Sequence, residues 1–175
     1  VAGLDDVRAF NYWQKESIPI FANEDTEEVL RREFHYVFNG QNYPGIPQLS
    51  IHSIERETAF GIGDLEFLPI RVLHYKMEVF GYRVGDFTYI TDANFIPPRE
   101  MEKIKGSRVL VLNALRNEKH ISHFSLAEAV EIAGQSGAAQ TYLTHISHQL
   151  GLHDEVESAL PAGISLAYDG LVIEV

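Results

Sequence analysis

An α/β fold is predicted by three observations. Residues 49–91 carry five short strand-like runs separated by turn residues. From residue 108 onward, strand and helix patterns alternate. The run RVLVLNAL (108–115) is apolar almost throughout, as a strand covered on both faces must be. A hairpin-rich half followed by strand–helix alternation calls for sheets covered by helices.

The elements follow in order. AGLDDVRAFNYWQKE (2–16) reads as a helix, with Leu4, Val7, Phe10 and Trp13 spaced as an apolar stripe. IPIFA (18–22) reads as a strand. Asn23 to Tyr36 reads as a capped helix, with acidic residues in its first turn and Arg31 and Arg32 later. Gly and Pro make 39–48 a loop. LSIHSI, TAFGIG, LEFLPIRVLHY, FGYRVG and FTYIT read as strands, with Gly-Asp pairs at 63–64 and 85–86 as hairpin turns. PPREMEKIKG is a short helix with prolines at its start and Gly106 past its end. SLAEAVEIAGQSG (125–137) is a helix with Ser125 and Glu128 as a capping box and Gly137 as its stop. QTYLT reads as another buried strand and 150–159 as a short helix. ISLAYDGLVIEV reads as a closing hairpin turning at Asp169-Gly170.

Composition sets bounds on function. The 175 residues are 45% hydrophobic and suit one domain spanning 1–175 with a real core. No apolar run approaches the ~18 residues of a membrane span, and no signal peptide is visible. The first residue is Val1, not Met, so residues upstream are expected. Cysteine is absent, which excludes disulfides, thiolate nucleophiles and Cys-based zinc sites and suits a cytoplasmic protein. A net charge of −11 with no Lys/Arg cluster disfavours a long nucleic acid as substrate.

The residues that carry chemistry are histidines and one aspartate at strand ends. His74 follows LPIRV, Asp92 follows TYIT, and His145 follows QTYLT, spaced by 18 and then 53 residues. Ligands at strand ends converge on one sheet edge, and His plus carboxylate suits Zn²⁺ or Mn²⁺. Each also has an ordinary structural reading when taken alone: a histidine bonded to a carbonyl, an Asx turn, a loop histidine capping a helix. His145 and His148 share THISH. His120 and His123 share EKHISHF, and His123 lies two residues before a helix N-cap, where anions are favoured. Asp5 and Asp6 read as acidic residues placed for the helix dipole.

In this order the motifs resemble the metallo-β-lactamase superfamily, in its phosphodiesterase branch. That branch includes the carbon–phosphorus lyase pathway's cyclic phosphodiesterase and the ribonuclease Z enzymes. VAGLDDVRAF, IPIFA, YITD, THISH and LPAGISLAYDGLVIE carry the resemblance over nearly the whole chain. It implies an αββα sandwich, incomplete at the N-terminus, with the chain forming the C-terminal portion of the domain. It implies two divalent metal ions, Zn or Mn. His74 resembles a ligand of the first, Asp92 the bridging aspartate, and His145 a ligand of the second. His123 resembles the histidine that contacts substrate phosphate and serves as general acid, while His120 and His148 are weaker candidates for supporting roles. The implied reaction is hydrolysis of a small phosphodiester, a cyclic nucleotide or sugar phosphate, by metal-activated hydroxide.

The family's H-x-H-x-D-H motif is not in this chain. It would lie upstream of Val1 and supply two ligands to each metal. With at most two side-chain ligands per metal, the chain alone is expected to be inactive, because a hydrolytic zinc site keeps three protein ligands plus water. A non-catalytic binding or assembly module on the same fold is one rival, and a relative in cofactor biosynthesis another. The resemblance leaves the oligomeric state open, a homodimer included.

Overall fold

Asparagine side chains set the geometry of the first part of the chain. The computed structural model describes residues 2–40 and 45–174, so the loop expected at 39–48 lies partly outside the described residues. The chain divides into two units, Val1–Arg56 and Glu57–Val175.

In the first unit, a 3₁₀ segment at Ala2–Val7 runs into helix α1 (Arg8–Gln14). The continuous helix expected over 2–16 is therefore divided. A 3₁₀ turn holds three residues against 3.6 in an α-helix, so a three-residue stripe started in one does not continue in the other. Phe10 and Trp13 are accordingly 54% and 82% exposed. The buried position of α1 is polar instead. Asn11 donates to Glu16 O (2.9 Å) and Gln48 O (2.8 Å) and accepts from Gln48 N (2.9 Å). Strand β1 (Ile18–Ala22) pairs in parallel with β2 (Leu49–Ser53). Between them lie α2 (Glu24–Glu33), capped by Asn23 accepting from Thr26 N, and α3 (His35–Phe38). Asp5 accepts a hydrogen bond from the Tyr36 hydroxyl at 2.7 Å.

The second unit is built on a seven-stranded sheet in sequence order. Its strands are β3 (Phe60–Ile62), β4 (Leu65–His74), β5 (Met77–Val84), β6 (Phe87–Ile90), β7 (Val109–Asn113), β8 (Gln140–Thr144) and β9 (Ile164–Leu166). β3 to β6 pair antiparallel, and β6 to β9 pair parallel. The switch falls where the chain stops making tight turns and starts inserting helices. Gly63 and Gly85 take the left-handed conformation in the two Gly-Asp turns. Helices α4 (Pro98–Ile104), α5 (Leu126–Ser136) and α6 (His153–Ala159) connect the parallel strands. Every residue of β7 is buried, as its apolar run requires. Ile70, Val72, Ile90, Leu110, Leu112 and Leu143 form the core with Met101 and Ile104 of α4 and Ala129 of α5. At Gly81 a Cβ would come within 2.6 Å of Ile90 Cγ1, so only glycine allows β5 and β6 to approach there.

The closing hairpin is not formed. Ile164–Leu166 pairs in parallel with β8, and the Asp169-Gly170 turn is made, with Leu171 N donating to Tyr168 O at 3.1 Å. Beyond the turn no described residue joins a strand, and Val172 is 84% exposed. A turn signal is local, whereas a hairpin also needs a returning strand with a face to bury.

Candidate metal centre

Four strand ends meet at one edge of the larger sheet. β4 and β6 are both antiparallel to β5, and β6, β7 and β8 are parallel, so these four strands point the same way. His74 is the last residue of β4, and Asp92 follows β6 by two. His123 lies in the β7–α5 connection, and His145 directly follows β8. Ligand sites in open α/β sheets collect at such carboxyl ends.

Asp92 is the centre of the group. Its Oδ1 lies 3.1 Å from His123 Nε2 and 3.3 Å from His145 Nε2. Ligand atoms of His74, Asp92 and His123 all lie within 4.8 Å of one another. The His123 ring stacks on His145 at 4.7 Å and meets His74 edge-on at the same distance. His120 adjoins through His123, their Nδ1 atoms 3.1 Å apart, and Ser122 Oγ is 2.9 Å from His123 Nδ1. His148 is exposed and makes no hydrogen bond or ring contact with this cluster among the described residues.

The electrostatics assign protons. A carboxylate only accepts, so His123 must donate to Asp92 from Nε2. Burial pushes the His123 imidazole below its ordinary value; the bond to Asp92 raises it, and the charges of His145 and His74 lower it further. At neutral pH His123 is therefore neutral, and its Nδ1 accepts from Ser122 or His120. His74 Nε2 is buried with no hydrogen-bond partner among the described residues. A buried imidazole nitrogen left unpaired costs free energy. Beside a carboxylate and two more imidazoles, such a nitrogen fits a divalent metal, whose ligand is a neutral imidazole.

The backbone is strained at the same places. Tyr75 after His74, Asp92 and His145 have φ of 60°, 54° and 58°, the left-handed region that residues with a Cβ avoid. Such strain costs about 1–3 kcal/mol per residue and clusters at functional sites.

Sequence reasoning did not single out Asn113, the last residue of β7, fully buried and bonded to the Ala93 backbone. The available signal was a polar residue inside an apolar run, since a buried amide must find partners.

These observations define an α/β protein with a histidine–aspartate cluster at its strand ends, and the chain belongs to the beta-lactamase superfamily, whose domain model matches residues 1–146. Among solved structures it resembles a new diphosphatase of the PhnP family, with 40% identity and a TM-score of 0.88 over 99% of this chain and 66% of that one. It shares the fold of Zn²⁺-bound PqqB from Methylobacterium extorquens, with 14% identity and a TM-score of 0.68 over 100% of this chain and 67% of that one. Among curated proteins it is 36% identical over 172 residues to an octanoyltransferase of Porphyromonas gingivalis (strain ATCC BAA-308 / W83). That match takes in 98% of this chain but only 35% of the relative. Most of the octanoyltransferase thus has no counterpart here. The resemblance to the phosphodiesterase branch and the α/β class drawn from the sequence both stand. Among the described residues no helix is long and apolar enough to cross a membrane.

Proposed function

We propose that the chain is part of a metal-dependent hydrolase that cleaves a phosphorus–oxygen bond in a small phosphodiester. The observation that carries this reading is the convergence of His74, Asp92, His123 and His145, with His74 Nε2 buried and unpaired. His74, Asp92 and His145 would hold divalent metal, with Asp92 offering two oxygens to be shared. Because hydrolytic sites keep three protein ligands, the reading expects further ligands from the intact protein. A bound metal pair supplies Lewis acidity toward a phosphoryl oxygen and makes a water acidic enough to attack near neutral pH.

By distance alone His123 belongs to the ligand group, but its surroundings favour another role. Its Nδ1 is engaged by Ser122 and His120, and its Nε2 holds a proton toward the centre of the cluster. As a neutral imidazole it presents this N–H as a hydrogen-bond donor to the phosphoryl or leaving oxygen, and it transfers a proton only from its imidazolium form, which the bond to Asp92 favours. The net charge of −11 favours a small cyclic nucleotide or sugar phosphate over RNA.

A second reading, hydrolysis of a diphosphate linkage, is supported by the 40% identity to the PhnP-family diphosphatase. Both reactions use the same groups, since both displace an oxygen leaving group from phosphorus. The test is metal analysis of the intact protein and of Asp92→Ala, with turnover of a nucleoside 2′,3′-cyclic phosphate and of diadenosine diphosphate. Metal and turnover lost together in Asp92→Ala support the reading, and the faster substrate decides between phosphodiester and diphosphate. An intact protein that binds no divalent metal, or Asp92→Ala still loaded and active, overturns it.

A further inference from the structure

The loop that carries Asp92 is held from two sides by asparagine carboxamides. Asn113 is fully buried at the end of β7. Its Oδ1 accepts from Ala93 N and its Nδ2 donates to Ala93 O, both at 2.9 Å. Both polar groups of the residue next to Asp92 are thus clipped by one side chain. The Ala93 carbonyl also accepts from Phe124 N at 2.8 Å, which ties the residue after His123 to the same point. The residue after Asn113 extends the connection, as Ala114 N donates to Thr144 O, directly before His145. On the other side, Asn94 Oδ1 accepts from Tyr75 N at 2.6 Å, directly after His74. Asn94 N donates to Leu73 O at 2.8 Å, directly before His74.

These bonds fall where the backbone is least able to hold itself. Tyr75 and Asp92 are left-handed, and a residue with a Cβ relaxes toward other conformations unless its neighbours forbid it. Neither carboxamide reaches the ligand atoms. Each acts on the main chain beside a ligand, and loss of a group that orients a metal ligand commonly lowers metal affinity about 10–100-fold.

We infer that Asn113 and Asn94 are positioning residues: Asn113, by clipping Ala93, and Asn94, by capping Tyr75, hold Asp92 and His74 in the orientation that binds metal. This rests on the metal-centre reading above. Asn113 contributes the larger part, because it makes two buried hydrogen bonds, whereas the Asn94 carboxamide makes one exposed bond.

The test uses the intact protein titrated with Co²⁺, whose visible absorption reports both affinity and coordination geometry. Asn113→Leu, close in size and without hydrogen bonds, is expected to bind Co²⁺ about 10–100-fold more weakly with an altered band. Asn94→Ala is expected to weaken binding less, and Asn94→Asp, which keeps the acceptor, to restore it. Ser107→Ala is the comparison for a merely structural effect. It removes the buried Thr88–Ser107 bond (2.7 Å) at the other end of β6 and should lower the melting temperature while leaving Co²⁺ binding intact. Should Asn113→Leu and Asn94→Ala melt lower but bind Co²⁺ as the unaltered protein does, the positioning role is wrong. Should the unaltered protein take up no Co²⁺, the metal reading falls instead, and the clip is then judged on ring ¹H–¹⁵N signals. Movement of the His123 and His145 signals in Asn113→Leu but not in Ser107→Ala supports the clip; signals unmoved in both overturn it.

Discussion

Asn11 and Asn113 make the same bonds in different places. Each clips one residue, accepting from its N–H and donating to its carbonyl: Gln48 for Asn11, Ala93 for Asn113. In the first unit the clip fastens a helix to the residue that leads into β2, so the consequence is a fold. In the second unit the same clip fastens β7 to the neighbour of Asp92, so the consequence is the placement of a carboxylate among histidines. The hydrogen bonds alone do not reveal which role an asparagine has. What distinguishes them is the neighbour of the clipped residue, and whether that neighbour carries chemistry.

The largest expected effect separates chemistry from architecture. His123→Ala in the intact protein should lower turnover by about 10²–10⁴, the range for a positioned acid–base group, with metal content nearly unchanged. Loss of metal from His123→Ala would place it among the ligands instead. Next, Leu112→Ala, beside Asn113 in the core, should cost about 2–5 kcal/mol in denaturant unfolding, from lost burial and a cavity. A smaller cost would mean that the strand carrying Asn113 repacks freely. Asn11→Leu should cost about 1–3 kcal/mol, since the Gln48 N–H loses its partner while the Gln48 carbonyl keeps only the bond from Ile18 N. Its turnover should match that of the unaltered protein. A fall in turnover would erase the contrast between the two clips.

The smallest effect concerns charge at the helix that follows His123. Burial raises the Glu128 carboxyl, but hydrogen bonds from Ser125 and the Lys119 charge outweigh it and leave it below its usual value. A carboxyl depressed in the folded state adds stability above its unfolded pKa, near 4.3. That stability is lost as the pH falls through the lower folded value. Glu128→Gln should therefore be less stable at pH 7 by a few tenths of a kcal/mol, given its partial exposure. The difference should fade in melting curves as the pH is lowered below about 4.3 and through the lower folded value. A constant difference across that range would show that the capping geometry, not the charge, matters.

Local patterns were legible in the sequence. The strands, the caps at Asn23 and Ser125 and the two Gly-Asp turns follow from residues within a few positions of each other. So did the order of His74, Asp92 and His145, because strand ends are visible as the points where apolar runs stop. Tertiary structure decided the rest. Phe10 and Trp13 were placed on a buried stripe, but burial depends on what packs there, and the helix changes pitch before it reaches them. The Asp169-Gly170 turn formed without its hairpin, because a strand needs a partner that the turn cannot supply. His123 reaches Asp92 from 31 positions away, and Asn113 reaches Ala93 from 20. Sequence determines which residues are able to bond; only the folded chain decides which of them meet, because packing and topology, not spacing, bring distant strand ends to one edge.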